Sequence, residues 1–257
     1  MAQLSQILKQ ATGVVASRGE GVLLYDEDDR RYLDFTAGIG VTSTGHCHPR
    51  VVEAAQRQVA TLIHGQYTTV LHRPLLTLVE RLGDVLPPGL DRMFFANSGS
   101  EATEAALRLS RQATGRPNII VFHGGFHGRT VAAGTSGTKF RSGFSPLMAG
   151  VHVSPFPDPG HFGWPTEQAT EFALAQLDYI LQTLSAPADT AAFSSSRYWV
   201  RAATCRQISA SWRACGNAPT RTGCCWCSTR CRRVSAARAS SGATTISTST
   251  STPAPTS

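Results

Sequence analysis

The chain has 257 residues, a hydrophobic content of 41% and a formal net charge of +7, which is enough for one large domain with its own core. No apolar run approaches the length needed to cross a bilayer. The polar start MAQLSQILKQATG lacks the apolar centre of a secretion signal. We therefore expect a cytoplasmic protein without a membrane partner.

The positive charge is confined to the last quarter of the chain. Residues 1–193 carry 15 Lys and Arg against all 17 Asp and Glu, whereas residues 194–257 carry nine Arg and no acidic residue. Cysteine divides in the same way, with Cys47 in the first part and six in the tail: Cys205, Cys215, Cys224, Cys225, Cys227 and Cys231. Such a tail would ordinarily indicate a nucleic-acid partner, or a metal or disulfide site. Both interpretations require the tail to be a selected protein sequence.

Up to Phe193, strand patterns and helix patterns alternate. GVLLYDEDDRRYLDF predicts two short strands around an acidic turn, and helices are predicted after His48-Pro49 and over roughly Pro74 to Leu86. The later segments predict, in order, strand MFFAN, helix SEATEAALRLSRQA, strand NIIVF, a helix from HGRT, strand VHVSP, helix EQATEFALAQLDYILQTL and a strand from Thr190. This alternation predicts an α/β fold, in which a mostly parallel sheet carries helices on both faces.

After Phe193 the periodicity stops. The tail shows neither helical nor two-residue spacing of apolar residues, and its end, TTISTSTSTPAPTS, has low complexity. Composition of this kind is typical of disordered segments.

The segment MFFANSGSEATEAALRLSR carries the first candidate site, since ligands of open parallel sheets bind where strands end and helices begin. Ser98 followed by Glu101 forms a capping box, which marks a helix start. Gly99 lets a ligand approach the backbone, and Ser100 adds a hydroxyl. The N–H groups of a helix start favour an anion such as phosphate, although an ordinary capped helix gives the same pattern.

The segment NIIVFHGGFHGRT carries the second candidate site, where a predicted strand runs into a glycine-rich turn. The turn presents Phe126, His127 and Arg129 together. An aromatic ring at a strand end can stack on a flat cofactor, and an arginine can bind a carboxylate with two parallel hydrogen bonds. A turn with a core Phe and a solvated Arg is the alternative.

Two histidine groups also suggest a metal. His123 and His127 have no carboxylate or cysteine nearby in the sequence, which leaves their ligand set incomplete. In GHCHP, neighbouring residues of an extended loop would point to opposite sides, which is poor geometry for a metal. We therefore expect no metal site.

Three stretches, LDFTAGIGVTSTGHCHPRVVEAA, FFANSGSEATEAALRLSR and FHGGFHGRT, together resemble the class III aminotransferases, the family of 4-aminobutyrate, acetylornithine and ornithine aminotransferases. The resemblance runs from about Gly13 to Phe193, with the motifs in the family's order. It implies pyridoxal 5′-phosphate (PLP) as cofactor, the type I fold of PLP-dependent transferases and a homodimer. The implied reaction transfers an amino group from an amino acid or ω-amino acid to a 2-oxo acid.

The resemblance also implies roles for individual residues. Gly99 and Ser100 would bind the cofactor phosphate, with Ser98 beside them in the cofactor site. Phe126 would stack on the pyridine ring, and His127 would lie close to it. Arg129 matches a position that meets a substrate carboxylate in several members. The loop Gly38–Val41 matches a segment near the substrate entrance.

Two groups that PLP chemistry needs are missing, a lysine for the Schiff base and an acid against the pyridine nitrogen. The only lysines are Lys9 and Lys139, and neither matches the family's Schiff-base motif. The family's acid segment, D-E-V-Q-T-G, does not occur either. We therefore assign no catalytic residue and expect the chain as written to be inactive.

A reading-frame slip explains the tail. With GC-rich codons, reading Arg197–Arg206 one base earlier gives P-V-L-G-E-G-G-Y-V-P, a segment of the same family. The same shift turns Cys227–Arg238 into V-L-D-E-V-Q-T-G-F-G-R-T, which contains the missing acid motif. Ser194-Ser195-Ser196 likewise fits L-I-E, so the slip falls between Phe193 and Ser194. We therefore expect the basic charge and the cysteines of the tail to carry no function.

The sequence thus predicts three regions. Residues 1–45 belong to a small N-terminal domain, residues 46–193 form part of a large PLP-binding domain, and residues 194–257 are a disordered tail read out of frame. A remnant that binds PLP without catalysis is one alternative. A nucleic-acid-binding protein with a basic tail is the other, and the lack of interleaved aromatic and basic residues argues against it.

Overall fold

The computed structural model describes residues 10–86, 91–130, 146–196, 225–229 and 244–247. The chain divides into two compact units, of which the first comprises residues 1–80 with 234–239, and the second comprises residues 81–233 with 240–257. The domain boundaries expected from the sequence remain predictions. Within the described residues, no helix combines the length and the apolar character that a membrane span requires.

The first unit contains a three-stranded antiparallel sheet followed by helices. Its strands are β1 (Ala16–Glu20), β2 (Leu23–Asp26) and β3 (Arg31–Leu33), paired in that order. A four-residue turn, α1 (Ala37–Gly40), precedes the helices α2 (Pro49–Thr61) and α3 (Arg73–Gly83), which continues just past the boundary of the unit. Neither α2 nor α3 contains a fully buried residue. Apolar side chains outside these helices, such as Phe35 (91% exposed) and Ile63 (82% exposed), also lie on the surface of this unit.

The second unit is built on a five-stranded sheet in the order β5-β4-β6-β7-β8. Its strands are β4 (Asn118–Phe122), β5 (Val151–Ser154), β6 (Thr190–Ser196), β7 (Cys225–Thr229) and β8 (Thr244–Ser247). β4 pairs in parallel with β5 and β6, β6 pairs in parallel with β7, and β8 is antiparallel to β7. The helices are α4 (Gly99–Thr114), the short α5 (Pro159–Phe162) and α6 (Thr166–Thr183).

Both faces of this sheet are covered, because alternate residues of β4 point to opposite sides. Ile119 and Val121 pack on one face with Ala106 and Leu107 of α4. On the other face, a second cluster joins alternate strand residues to α6 and the segment after β5: Ile120, Phe122, Phe156, Leu177, Ile180 and Phe193. The predicted α/β fold, with a mostly parallel sheet and helices on both faces, is confirmed.

One predicted element is wrong. Residues 93–97 (MFFAN) are not a strand, and Phe94 is 70% exposed. A strand needs a neighbour to accept and donate its backbone hydrogen bonds, and no described strand lies beside this segment. The helix predicted from HGRT falls mainly on residues 131–145, which lie outside the described residues, and residues 127–130 themselves are not helical. The predicted helix at 74–86 forms but ends at Gly83.

The expectation of disorder in the tail is corrected at three places. β6 continues through Ser196, and residues 225–229 and 244–247 form β7 and β8. The rest of the tail lies outside the described residues. Pairing with the exposed edge of β6 is the physical reason for β7, since a sheet edge offers a row of backbone donors and acceptors to any extended segment.

Candidate functional site

The N-terminus of α4 is formed as the capping box predicts. The Ser98 hydroxyl accepts a hydrogen bond from the Glu101 N–H at 3.2 Å. The Glu101 carboxylate reaches back and accepts from the Asn97 N–H at 2.6 Å. With these two bonds in place, Gly99 and Ser100 form the first turn of the helix. Backbone N–H groups in the first turn have no partner within the helix itself. The positive end of the helix dipole lies here.

The loop after β4 reaches this helix start. Gly128 has φ +114°, and a Cβ atom built on it would lie 2.2 Å from the Ser100 Oγ and 2.8 Å from the Ser100 Cβ. A side chain is excluded by both the backbone conformation and the contact. The structure therefore brings together the two segments that the sequence identifies as candidate sites.

His127 is held inside the second unit, with a residue exposure of 4%. Among the residues that the structure describes, neither its Nδ1 nor its Nε2 has a hydrogen-bond partner. Burial lowers the pKa of His127 to about 4, from an ordinary value of 6.5, because the charged form loses its hydration. The imidazole is consequently neutral near pH 7 and offers one donor and one acceptor to a ligand.

Phe126 and Arg129 flank this histidine in the chain. Phe126 is half-buried and Arg129 is exposed. The Arg129 guanidinium carbon lies 5.9 Å from the centroid of the Phe126 ring, within the range of a cation–π contact. The ring and the guanidinium, which the sequence assigns to a cofactor and a substrate carboxylate, are thus neighbours in space.

A further contact ties the end of this loop to α4. The Thr130 hydroxyl donates a hydrogen bond to the Glu104 carboxylate. Glu104 lies one helical turn beyond Ser100, on the same side of α4. Glu104, Thr130 and the contact at Gly128 are not predicted from the sequence. The one available signal was the spacing of Ser100 and Glu104 by four residues, which carries no information about the loop.

The loop Gly38–Val41 belongs to the first unit. Ala37, Gly38, Ile39 and Gly40 all have positive φ, a conformation that costs about 1–2 kcal/mol for each residue with a side chain. The Asp34 carboxylate stabilises this turn through one oxygen, which accepts from the Thr36 N–H and hydroxyl and from the Ala37 N–H at 2.7–3.0 Å.

The other oxygen of Asp34 lies 2.8 Å from the Nε2 of His46. The hydrogen bond from the Thr36 hydroxyl, followed by that from His46, lowers the pKa of Asp34 to about 2. The neighbouring Cys47 is an exposed free thiol. Across the described part of the chain, no three His, Cys, Asp or Glu side chains are grouped as a metal would require.

Comparison with known proteins gives a consistent result. The family model described as aminotransferase class-III matches residues 6–193. The chain is 42% identical over 169 residues to an acetylornithine aminotransferase of Archaeoglobus fulgidus, covering 64% of this chain and 44% of that protein. It is 37% identical over 194 residues to a 2-aminoadipate transaminase of Pseudomonas putida, covering 74% and 45%. The chain spans about half the length of the curated relatives it matches.

The solved structures support the fold. An amine transaminase from an uncultivated Pseudomonas species, in its PLP-bound form, superposes with a TM-score of 0.76 at 21% identity, covering 89% of this chain and 55% of the other. An omega transaminase from Pseudomonas jessenii superposes with a TM-score of 0.78 at 23% identity, covering 88% and 53%.

Proposed function

The chain belongs to the class III aminotransferases, and from this premise we propose that it is the front half of an enzyme that transfers an amino group from an amino acid or ω-amino acid to a 2-oxo acid. The cofactor of the family is PLP. The observation that carries the proposal is the contact between the start of α4 and the loop after β4, at Ser100 and Gly128. The contact joins an anion-binding helix start to a loop that carries an aromatic ring, a neutral imidazole and a guanidinium.

The phosphate of PLP fits the start of α4. Helix N-termini bind phosphate through backbone N–H groups and the helix dipole, and Ser98 already caps this helix without occupying the N–H of Gly99. In the proposal, Gly99 and Ser100 bind the phosphate. Gly128 allows the opposing loop to approach, since any Cβ there would fill the space beside the Ser100 hydroxyl.

The ring of PLP fits the loop after β4. Phe126 offers an aromatic face. The two nitrogens of the buried His127 have no partner among the described residues, and a polar cofactor can bond to both, because the neutral ring offers one donor and one acceptor. Because burial keeps the imidazole neutral, His127 would add no positive charge beside the ring. Arg129 would bind the substrate carboxylate. When bound, PLP supplies an electron sink for the bonds broken at the amino-bearing carbon.

The chain as written lacks the rest of the chemistry. Lys9 and Lys139 are its only lysines, both lie outside the described residues, and neither matches the family's covalent attachment motif. No residue from 194 onward is acidic, so no side chain of the tail can hold a proton on the pyridine nitrogen by ion pairing. We propose that this chain binds PLP weakly and reversibly and does not catalyse transamination.

Two observations support a one-base slip in the gene. The match to the family model ends at Phe193, the residue after which the shifted codons begin to fit the family. In the shifted reading of 227–238, the aspartate of D-E-V-Q-T-G falls on position 229, and β7 ends at Thr229. The carboxyl ends of parallel strands form the ligand-binding edge of such sheets, so the shifted acid motif begins at the edge that would bind PLP.

The partners and the location follow from the same proposal. The substrates are small amino acids and 2-oxo acids, and we propose a cytoplasmic homodimer as in the family. The exposed apolar side chains of the first unit, including Phe35, Val59 and Ile63, support a second copy of the chain as their partner, because a monomer seldom leaves so much apolar surface in water.

The test compares the chain as written with a chain whose gene carries one added base at the Phe193–Ser194 junction. Each is titrated with PLP, followed by absorbance, and each is assayed for amino transfer from several amino and ω-amino acids. We expect reversible binding without transfer for the first chain, and transfer for the second. Amino transfer by the chain as written, or a failure of both chains to bind PLP, would refute the proposal. Borohydride reduction and mass spectrometry would reveal any covalent use of Lys9 or Lys139.

A further inference from the structure

We propose that Glu104 is a positioning residue of the cofactor site, which acts through Thr130 to hold the loop after β4 against the start of α4. This inference rests on the proposed function. It assigns a role to an acidic residue that lies within α4, one turn beyond the residues that would bind the phosphate, and to a threonine that follows the loop carrying Phe126, His127 and Arg129.

The loop is attached to α4 at two points whose spacings match. Gly128 contacts Ser100, and Thr130 donates a hydrogen bond to Glu104. Four residues of helix rise about 6 Å, and two residues of extended chain span about 7 Å. The segment from Gly128 to Thr130 therefore runs along the side of α4 that presents Ser100 and Glu104.

The two attachments hold Arg129 between them. Arg129 is exposed and contacts no acid in the described salt bridges, so the position of its backbone depends on its neighbours in the chain. The Gly128 contact alone is van der Waals and leaves the loop free to turn about one point. The hydrogen bond at Thr130 supplies the second point, which fixes the direction in which Arg129 and Phe126 leave the backbone.

The position of Glu104 in α4 does not by itself account for an acidic residue there. A carboxylate favours the helix dipole only within the first turn, and Glu104 lies beyond it. An acid one turn from an anion site also repels the anion, unless another group engages it. The Thr130 hydroxyl donates a hydrogen bond to this carboxylate. The ordering of the loop through this bond offsets the unfavourable effect of the negative charge.

The test uses the full chain with four variants of the proposed pair and one control variant. Glu104→Ala and Thr130→Val each remove one partner of the bond, and their combination completes a double-mutant cycle. Glu104→Gln keeps an oxygen that accepts from Thr130 while removing the charge. Glu171→Gln, on the exposed side of α6, is the matched control. Two quantities are measured: PLP affinity by absorbance titration, and amide hydrogen exchange of residues 123–130 without ligand.

We expect Glu104→Ala and Thr130→Val to weaken PLP binding by roughly tenfold, as loss of a hydrogen bond to a charged group does. The double variant weakens it no further, and Glu104→Gln and Glu171→Gln bind like the unaltered chain. Exchange in residues 123–130 accelerates in Glu104→Ala, in Thr130→Val and to the same extent in the double variant, but not in Glu104→Gln or Glu171→Gln. Additive effects, or unchanged affinity and exchange in both single variants, would overturn the inference.

A different result would identify failure of the proposed function itself. If the unaltered chain does not bind PLP, the cofactor site is wrong and Glu104 has no cofactor to position, whatever the exchange data show. Binding by the unaltered chain with no response to the variants refutes the role of Glu104 alone.

Discussion

Gly128 and Ser100 are in contact across two segments that are 28 residues apart in the chain, and a Cβ on Gly128 would lie 2.2 Å from the Ser100 Oγ. The contact fixes how closely the loop after β4 approaches α4. It follows that the distance between the phosphate end and the ring end of the proposed cofactor site depends on a residue without a side chain.

Gly128→Ala is expected to separate these two segments. The substitution strains a backbone at φ +114° and forces its Cβ into Ser100, which together should lower the free energy of unfolding by about 3 kcal/mol. Chemical denaturation measures the change. Ser100→Gly in the same chain removes the contacts with the Ser100 Oγ and Cβ but leaves the strain and the Cα at 3.0 Å, so the double variant should recover part of the loss. Equal stability of Gly128→Ala and the unaltered chain would contradict the close approach.

The burial of His127 should appear in the pH dependence of stability. The pKa of His127 is about 4 in the folded chain and about 6.5 in the unfolded chain, so the unfolded state binds the proton first as the pH falls. Stability should therefore decrease from about pH 6.5 down to about pH 4. His127→Gln should flatten this part of the melting-temperature profile, whereas His123→Gln, at an exposed position of the same loop, should leave it unchanged. An identical profile for both variants would show that His127 is hydrated.

The ionised Asp34 side chain should make the stability of the first unit decrease at low pH. Hydrogen bonds from Thr36 and His46 lower the pKa of Asp34 to about 2, below its ordinary value of 3.8. The unfolded state therefore takes up the proton first, and the stabilisation present above about pH 4 is lost as the pH falls toward 2. Asp34→Asn should accelerate amide exchange in residues 36–46 at neutral pH. Asp28→Asn is the control, because the Asp28 side chain is 68% exposed; an equal effect of both would count against the role of Asp34.

The gene itself supplies the fourth prediction. Resequencing across the codons for Phe193 and Ser194, in DNA from the source, should reveal either one additional base or a frame that one added base reopens. The restored frame should contain D-E-V-Q-T-G at positions 229–234 and a lysine further on. A stop codon before any lysine would refute the slip.

The fold was predictable where one segment determines its own structure. α4 and α6 have apolar residues in helical spacing, and α4 also carries its own cap, so their patterns suffice. β4 reads as a strand because its apolar run is short and rich in branched residues. Residues 93–97 are also a short, mostly apolar run, yet they are not a strand, because that outcome depends on a neighbour. β1 (Ala16–Glu20) shows the converse, since its polar sequence ASRGE becomes a strand by pairing with β2.

The site was predictable only in part, for the same reason. Ser98, Gly99 and Ser100 lie in one local motif, and so do Phe126, His127 and Arg129, so the residue types indicated their chemistry. The contact between the two motifs is tertiary, and so is the bond from Thr130 to Glu104, 26 residues away in the chain. Neither leaves a periodic or compositional trace in the sequence. Such links are found once the sheet has determined which loops lie next to which helix.

The apolar side chains left on the first unit have a consequence for the life of the chain in a cell. Newly made copies with Phe35 and Ile63 in water resemble the incompletely folded species that chaperones retain and proteases degrade. The abundance of this protein should then be set by its rate of degradation. Any copy of the uninterrupted enzyme made in the same cell, if it covered that surface, would lengthen the lifetime of the short chain without restoring its chemistry.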